Sequence, residues 1–205
     1  TLNTASAACS FIGGGLSNKI IGDVTSSFIG GGRCNTISVS CGAAYHSILG
    51  GCCNSISGNY SSVNSIGGGT CNIIVTPSGE DNSIVTGCKN TICGGDASNP
   101  IVNSTIAGGT LNTSSAKSSF IGGGCCNTIS GYLALNNTIG GGKSNTISSA
   151  YGNALNIVGG KTNQIIGSNQ DNNLIGGGTL NTISSTYSSN LTIGGGSTNT
   201  ISTSY

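Results

Sequence analysis

The sequence predicts an all-β fold, a single-stack parallel β-solenoid (β-roll or β-helix) of about eleven rungs of ~18 residues, spanning residues 1–205 as one repeat domain. Three observations support it: one short motif recurs from end to end, glycine triplets interrupt most copies, and β-branched residues alternate with polar ones. A unit this short cannot bury a core alone, whereas stacked copies share a continuous core. Helical coils are disfavoured because each glycine costs about 1 kcal/mol within a helix.

The motif has the form Ile-Gly-Gly-Gly-x-x-Asn-Thr-Ile-Ser. Its successive first isoleucines are 17, 19, 18, 18, 22, 15, 18, 18, 18 and 18 residues apart. They are Ile12, Ile29, Ile48, Ile66, Ile84, Ile106, Ile121, Ile139, Ile157, Ile175 and Ile193. Six residues after each stands an asparagine: Asn18, Asn35, Asn54, Asn72, Asn90, Asn112, Asn127, Asn145, Asn163, Asn181 and Asn199. Two residues further, a second isoleucine occurs in every rung except that of Ser114.

Each rung is expected to hold two short strands, one ending at the first isoleucine and one running from the asparagine to the serine. The glycine triplet turns the chain between them, because glycine reaches left-handed and closely packed backbone at low cost. Rung length varies only after the second strand, so that segment is the outer loop, and it contains both Pro77 and Pro100. At about 4.8 Å per rung, the rod would be about 50 Å long.

Side chains alternate between the two faces of a strand, and this alternation assigns an orientation to each motif position. If the two isoleucines point inward, the asparagine does too, and the stacked asparagines form a ladder that hydrogen-bonds from rung to rung. The flanking threonine and serine then point outward and form a regular hydroxyl face. Its pairs are Thr36/Ser38, Thr128/Ser130, Thr146/Ser148, Thr182/Ser184 and Thr200/Ser202.

Composition argues against several function classes. Only 5% of residues are charged and the net charge is +1, so no basic patch is available for nucleic acid. No run of about 18 apolar residues predicts a membrane span. Catalysis is not expected. The single histidine, His46, is interpreted as a solvated loop side chain. A sugar-cleaving site needs two carboxylates that face one cleft, and the only adjacent acidic residues, Glu80 and Asp81, lie in a loop. The sequence thus predicts neither an enzyme, nor a cofactor, nor a metal site.

Cysteines recur at two neighbouring positions of the motif. Equivalent residues on adjacent rungs lie about 4.8 Å apart, within the Cα range of a disulfide. Cys34–Cys53 or Cys53–Cys71 could therefore join rungs covalently, whereas adjacent strand residues face opposite ways and are poorly placed to share a metal ion. The disulfide candidates are Cys34, Cys52, Cys53, Cys71, Cys88, Cys125 and Cys126.

Asn-x-Ser/Thr sequons suggest glycosylation in a secretory setting. Asn103, Asn136 and Asn190 share one repeat position, three residues before the first isoleucine, and Asn59 lies in another outer segment. Asn112 also begins a sequon but belongs to the ladder. A chain this rich in Asn, Ser and Thr also produces sequons by chance, so both interpretations stay open.

The string Ser-Phe-Ile-Gly-Gly-Gly-Cys-Cys-Asn-Thr-Ile-Ser at 119–130 resembles the Gly-Gly-x-x-Asn-Thr repeats of YadA-like head domains. Similar repeats occur in trimeric adhesins and viral fibre proteins, and the resemblance extends over essentially the whole chain. It implies a left-handed parallel β-roll on an extracellular fibre, often as a homotrimer. This chain departs from the family in its longer period, in its cysteines, and in its mostly polar residues before the first isoleucine.

These features favour a non-enzymatic structural protein of an extracellular fibre or filament. Residues 1–6 match the part of a rung that follows the glycines, so the domain is expected to start and end in mid-repeat. Such ends leave open strand edges that favour head-to-tail stacking of copies. One alternative is a surface adhesin that contacts glycans through outer-loop tyrosines; another is an ice-binding protein that uses the Thr-x-Ser face. The tyrosines are Tyr45, Tyr60, Tyr132, Tyr151, Tyr187 and Tyr205.

Overall fold

A computed structural model describes residues 2–204, apart from the side chain of Ala43. The fold is an all-β parallel β-solenoid of about eleven turns of ~18 residues, and the described residues contain no helix. The predicted fold class is therefore confirmed. Tyr205, one of the six tyrosines considered for glycan contacts, lies outside the described residues.

The second strand of each rung belongs to a twelve-stranded parallel sheet, here called the long sheet. It includes one strand before the first complete motif. Its strands are Thr4–Ala5, Lys19–Thr25, Thr36–Ala44, Ser55–Asn59, Ile73–Val75, Thr91–Cys93, Thr113–Lys117, Thr128–Leu135, Thr146–Ala150, Gln164–Ser168, Thr182–Thr186 and Thr200–Thr203.

The first strand of each rung contributes two residues to an eleven-stranded narrow sheet. Part of the segment predicted as outer loop also pairs, in a three-stranded sheet of Ser61–Ser62, Gly79–Glu80 and Ile101–Val102. The narrow-sheet strands are Phe11–Ile12, Phe28–Ile29, Ser47–Ile48, Ser65–Ile66, Ser83–Ile84, Thr105–Ile106, Phe120–Ile121, Thr138–Ile139, Asn156–Ile157, Leu174–Ile175 and Thr192–Ile193.

Register is kept at the start of each long-sheet strand even where rung length changes. Ile129 is opposite Ile147, which is opposite Ile165, although other rungs are several residues longer or shorter. A register shift occurs between Ser115 and Lys117, beyond the motif, where extra residues are accommodated. Length variation is thus confined to the outer side, because a one-residue slip within the motif would turn its isoleucines outward.

Two isoleucine columns form the core. Nearly all of their members are fully buried, as Ile139 and Ile147 illustrate. Burying one such side chain contributes about 1.5–3 kcal/mol, so the core grows with each added rung. In the rung without a second isoleucine, Ser114 is buried and contacts Ser119 Oγ through a hydrogen bond between the hydroxyls.

The chain turns from the narrow to the long sheet at what we call the glycine corner, where left-handed backbone recurs in every rung. The glycine at the third triplet position has positive φ, as at Gly142 (φ 90°), and a second left-handed residue follows two positions later. That second residue is never glycine, and its φ lies between 55° and 62° in all eleven rungs. These residues are Ser17, Cys34, Cys53, Cys71, Lys89, Leu111, Cys126, Ser144, Thr162, Leu180 and Thr198.

Left-handed conformation costs about 1–2 kcal/mol for a non-glycine residue. At the glycine corner the backbone N–H of this residue donates to a carbonyl of the preceding rung. Cys53 donates to Arg33 at 2.8 Å and Cys71 to Cys52 at 2.9 Å. The stack therefore holds a conformation that an isolated rung would not keep.

Candidate functional site

An asparagine ladder runs through the interior beside the glycine corner. Asn145 Oδ1 accepts the backbone N–H of Asn163 at 2.9 Å, while Nδ2 donates to the carbonyls of Gly141 at 2.9 Å and Gly160 at 3.0 Å. One side-chain amide thus forms one hydrogen bond within its own glycine corner and two hydrogen bonds to the next rung. All of its hydrogen-bonding groups find partners, which is what allows it to be buried.

The same N–H to Oδ1 bond recurs at every step of the ladder, at 2.9–3.0 Å. The ladder also extends one rung further than the motif indicates, because Asn18 donates its N–H to Asn3 Oδ1 at 3.0 Å. Asn3 lies in an incomplete copy, with no upstream isoleucine by which the spacing could identify it. Ten motif asparagines are fully buried, from Asn18 to Asn181, and Asn199 is exposed.

A second column lies two residues before the first isoleucine of each rung, and it is polar in every rung except those of Leu155 and Leu191. Asn82 donates its N–H to Asn64 Oδ1 at 3.1 Å, as in the ladder. His46 occupies this column and is fully buried, so the interpretation of His46 as a solvated loop residue is wrong. Its Nδ1 accepts the Asn64 N–H at 3.3 Å, and Nε2 lies 3.1 Å from the Ser61 carbonyl.

These contacts assign His46 the neutral form with its proton on Nε2, because Nδ1 must accept. Burial lowers the pKa of His46 below its ordinary value, and the backbone bond to Ser61 opposes this more weakly. The imidazole of His46 therefore takes the structural place that an asparagine amide holds at Asn64. Because His46 is buried, its ring nitrogens are not open to a substrate as those of a catalytic base would be.

The outer face of the long sheet carries the predicted threonine and serine pairs. Thr128 is opposite Thr146, and Ser130 is opposite Ser148. These side chains are half-buried or exposed. The pattern is interrupted at three rungs, by Lys19 with Ile21, by Ile73 with Val75 and by Gln164 with Ile166, and in a fourth rung Cys93 replaces the serine.

All seven disulfide candidates lie on the glycine corner. Cys52 Sγ and Cys53 Sγ are 3.4 Å apart, and Cys125 Sγ and Cys126 Sγ are 2.8 Å apart. The argument that adjacent cysteines face opposite ways is therefore wrong. Cys53 and Cys126 have left-handed backbone (φ 57° and 62°), which breaks the strand alternation and turns both side chains to the same side.

All ten cysteines are free in the structure, so the inter-rung disulfides stay a prediction. The other three cysteines lie elsewhere: Cys9 and Cys41 are exposed left-handed residues at other corners, and burial raises the pKa of Cys93. Within residues 2–204, no group of three or more His, Cys, Asp or Glu is placed to hold a metal ion.

The structure places the glycosylation candidates at corners. Asn103, Asn136 and Asn190 are exposed left-handed residues in one column, three residues before the first isoleucine. Asn59 is exposed in a strand of the long sheet, whereas Asn112 is fully buried. The exposed candidates Asn59, Asn103, Asn136 and Asn190 are therefore accessible to an attached glycan, and Asn112 is not.

A groove of about 530 Å³ lies outside the narrow sheet and was not found from the sequence. Thr138, Ala154, Asn156, Val158 and Leu174 contribute to its lining. Gly140 has no side chain to fill the groove, whereas the lining residues Val158 and Leu174 are larger. The lining residues carry no charge, so the groove lacks an acid or base.

Comparison with protein-family models, with curated proteins and with solved structures finds no match. The resemblance to YadA-like head repeats therefore remains an expectation drawn from residues 119–130. No helix within residues 2–204 is long and apolar enough to cross a membrane.

Proposed function

We propose that this chain is a non-enzymatic structural element of an extracellular fibre or filament, extended by stacking of solenoid rungs. The observation that carries the proposal is the repetition of one set of buried hydrogen bonds along the whole stack. The step from Asn90 to Asn112 spans 22 residues and that from Asn112 to Asn127 spans 15, yet both N–H to Oδ1 bonds measure 3.0 Å. Any rung can therefore serve as a template for the next.

The rung of Asn199 illustrates how another rung would bind. In earlier rungs Nδ2 donates to a glycine carbonyl of the following rung, as Asn181 does to Gly196 at 3.0 Å. Asn199 Nδ2 keeps the bond to its own corner, at 2.9 Å from the Gly195 carbonyl, but in place of a following rung it lies 3.0 Å from Asn181 Oδ1. A rung stacked on this face, from a second copy or from further chain, would restore the ladder geometry.

A pair of alanine variants tests stacking between copies. At Gly178, an added Cβ would lie 2.0 Å from the carbonyl oxygen of Gly196 in the next rung. At Gly196 such a Cβ meets only the Asn199 side chain, at 2.8 Å, so alanine there occupies the space that a stacked rung needs. G195A is the matched control, because its Cβ meets nothing within 4 Å.

Electron microscopy of the 205-residue chain should show filaments with an axial layer spacing of about 4.8 Å for the unchanged chain and for G195A. G196A should remain as discrete rods about 50 Å long. The stacking proposal fails if the unchanged chain stays discrete or if G196A assembles equally well. Discrete rods of the unchanged chain would favour adhesion as the function.

Disulfides, glycans and lateral association, including a homotrimer, are further parts of this proposal. Peptide masses with and without reduction test inter-rung pairs such as Cys34–Cys53 in native material. Mass shifts on Asn103, Asn136 and Asn190 after glycosidase treatment test glycosylation. Mass measurement in solution tests the trimer.

Ice binding is a second candidate, favoured by the outward hydroxyl columns on the parallel strands of the long sheet. Thermal hysteresis of the chain measures it directly. A bulky substitution on the hydroxyl face, T146Y, should abolish the effect, whereas T138Y on the outer face of the narrow sheet should not. Equal activity of both variants, or none in the unchanged chain, would exclude this candidate.

A further inference from the structure

Two pairs of adjacent cysteines present their sulfurs together at the glycine corner. In one pair, Cys52 and Cys53, the sulfurs are 3.4 Å apart; in the other, Cys125 and Cys126, they are 2.8 Å apart. Cys53 is exposed and the other three are half-buried, so solutes can reach both pairs.

The backbone places both side chains of each pair on the same side, and rotation about χ1 can open the sulfurs to the wider separation that bonds to one shared metal ion need. Cys53 and Cys126 are left-handed, and their N–H groups donate to carbonyls of the preceding rung at 2.8 and 2.9 Å. Cys52 and Cys125 are also held, because each forms a parallel bridge to the rungs on both sides. Ordering the ligands in advance reduces the entropy lost on binding.

The geometry points to two soft-metal sites, one at Cys52 and Cys53 and one at Cys125 and Cys126, each binding one Cu(I) ion through both sulfurs. Thiolate sulfur selects soft ions such as Cu(I) over hard ones. Two Cu–S bonds form, each thiol releases its proton to water, and copper stays monovalent. The inference concerns the reduced chain and does not depend on the proposed fibre role.

The two sites differ in their surroundings. Thiols of the neighbouring rungs, Cys34 and Cys71, lie close enough to Cys53 to influence its ionisation. Cys126 has Lys143 nearby, on the next rung. The first site therefore lies within a larger group of sulfurs, while the second depends on its own two.

The contact between the paired thiols shifts the ionisation of one cysteine in each pair. The hydrogen bond with Cys52 and then partial loss of hydration raise the pKa of Cys53 to about 11. The corresponding bond with Cys125 raises the pKa of Cys126, and Lys143 opposes this. Copper must displace a proton wherever it binds a protonated thiol.

Anaerobic titration of the reduced full chain with Cu(I), against a chromophoric Cu(I) chelator, tests the inference. The unchanged chain should bind two ions, and C52S/C53S and C125S/C126S should each bind one. Serine or threonine already occupies these two motif positions at Ser17, Ser144, Ser197 and Thr70, so the variants should fold, as far-ultraviolet circular dichroism can verify. The matched control is C9S/C41S, which removes two exposed but separated thiols and should still bind two.

The inference is overturned if the unchanged chain binds no Cu(I), if either pair variant still binds two ions, or if C9S/C41S loses an ion.

Discussion

Removing one amide from the asparagine ladder should destabilise the solenoid far more than removing a surface amide. Asn145 is fully buried and makes three hydrogen bonds, one as acceptor from Asn163 N–H and two as donor to Gly141 and Gly160. N145A deletes all three without altering the Asn145 backbone N–H, which still donates to Asn127 Oδ1.

The magnitude follows from those contacts. The buried N–H of Asn163 loses its acceptor, which costs about 1–3 kcal/mol. Each lost bond to a glycine carbonyl adds about 0.5–1.5 kcal/mol, although the Gly160 carbonyl keeps a second donor in Lys143 N–H. We therefore expect N145A to lower the free energy of unfolding by about 2–6 kcal/mol.

The control is N156A on the outer face of the narrow sheet. The Asn156 amide donates only to the nearby Ala154 carbonyl, at 2.8 Å, and the side chain is half-buried. Its loss should cost less than about 1 kcal/mol. Urea unfolding compares the variants, and hydrogen exchange of the Asn163 amide reports local opening, since repeat arrays can unfold in parts.

An aspartate at the same position separates the donor role from the acceptor role. N145D keeps an acceptor for Asn163 but turns a charge toward the carbonyls of Gly141 and Gly160. Burial and those carbonyls raise the pKa of this carboxyl in the folded state, so the folded chain binds the proton more tightly than the unfolded chain. Stability should then be highest below about pH 4 and fall as pH rises through the folded-state pKa.

Costs below 1 kcal/mol for N145A, or equal costs for N145A and N156A, would refute this account of the ladder.

Two further predictions concern His46 and the glycine corner. Burial lowers the pKa of His46 in the folded chain, so as pH falls the unfolded chain binds this proton at a higher pH than the folded chain does. The free energy of unfolding should therefore fall as pH drops below about 6.5, by up to about 1.4 kcal/mol per pH unit. H46N, which places in this column the residue found at Asn64, should lose that dependence between pH 5 and 7 in urea unfolding; an unchanged dependence would contradict the assigned contacts. G160A should cost about 3 kcal/mol or more, because its Cβ would lie 2.2 Å from the Gly178 carbonyl oxygen at a φ of 93°. G159A, with nothing within 4 Å, should be neutral or stabilising by about 0.5 kcal/mol in the same assay; similar losses in both would contradict the packing argument.

Spacing and alternation were enough to predict the fold. Ile20 and Asn18 are two residues apart in an extended segment, and both are buried. The same alternation places His46 inside, since it lies two residues before Ile48, so a column-by-column alignment with Asn64 would have found it. The segment before Ile48 was interpreted as an outer loop, and the inward position of His46 was therefore not predicted.

The corner geometry could not be predicted from residue type. Left-handed backbone is usually assigned to glycine or asparagine, yet Cys53, Leu111 and Thr162 adopt it in the same column. The conformation follows from the N–H bond to the preceding rung, which is a property of the stack. The proximity of the paired sulfurs follows from that conformation and was therefore missed.

Unequal rungs held by equal bonds have a mechanical consequence. If the rod is pulled from one end, the chain would peel one rung at a time, and each ladder step presents a similar resistance. The released contour length would instead follow the residue count, about 75 Å for the 22-residue step ending at Asn112 and about 50 Å for the 15-residue step ending at Asn127. Force–extension traces would then show similar peak forces at uneven spacings, in the order in which the rungs occur along the chain.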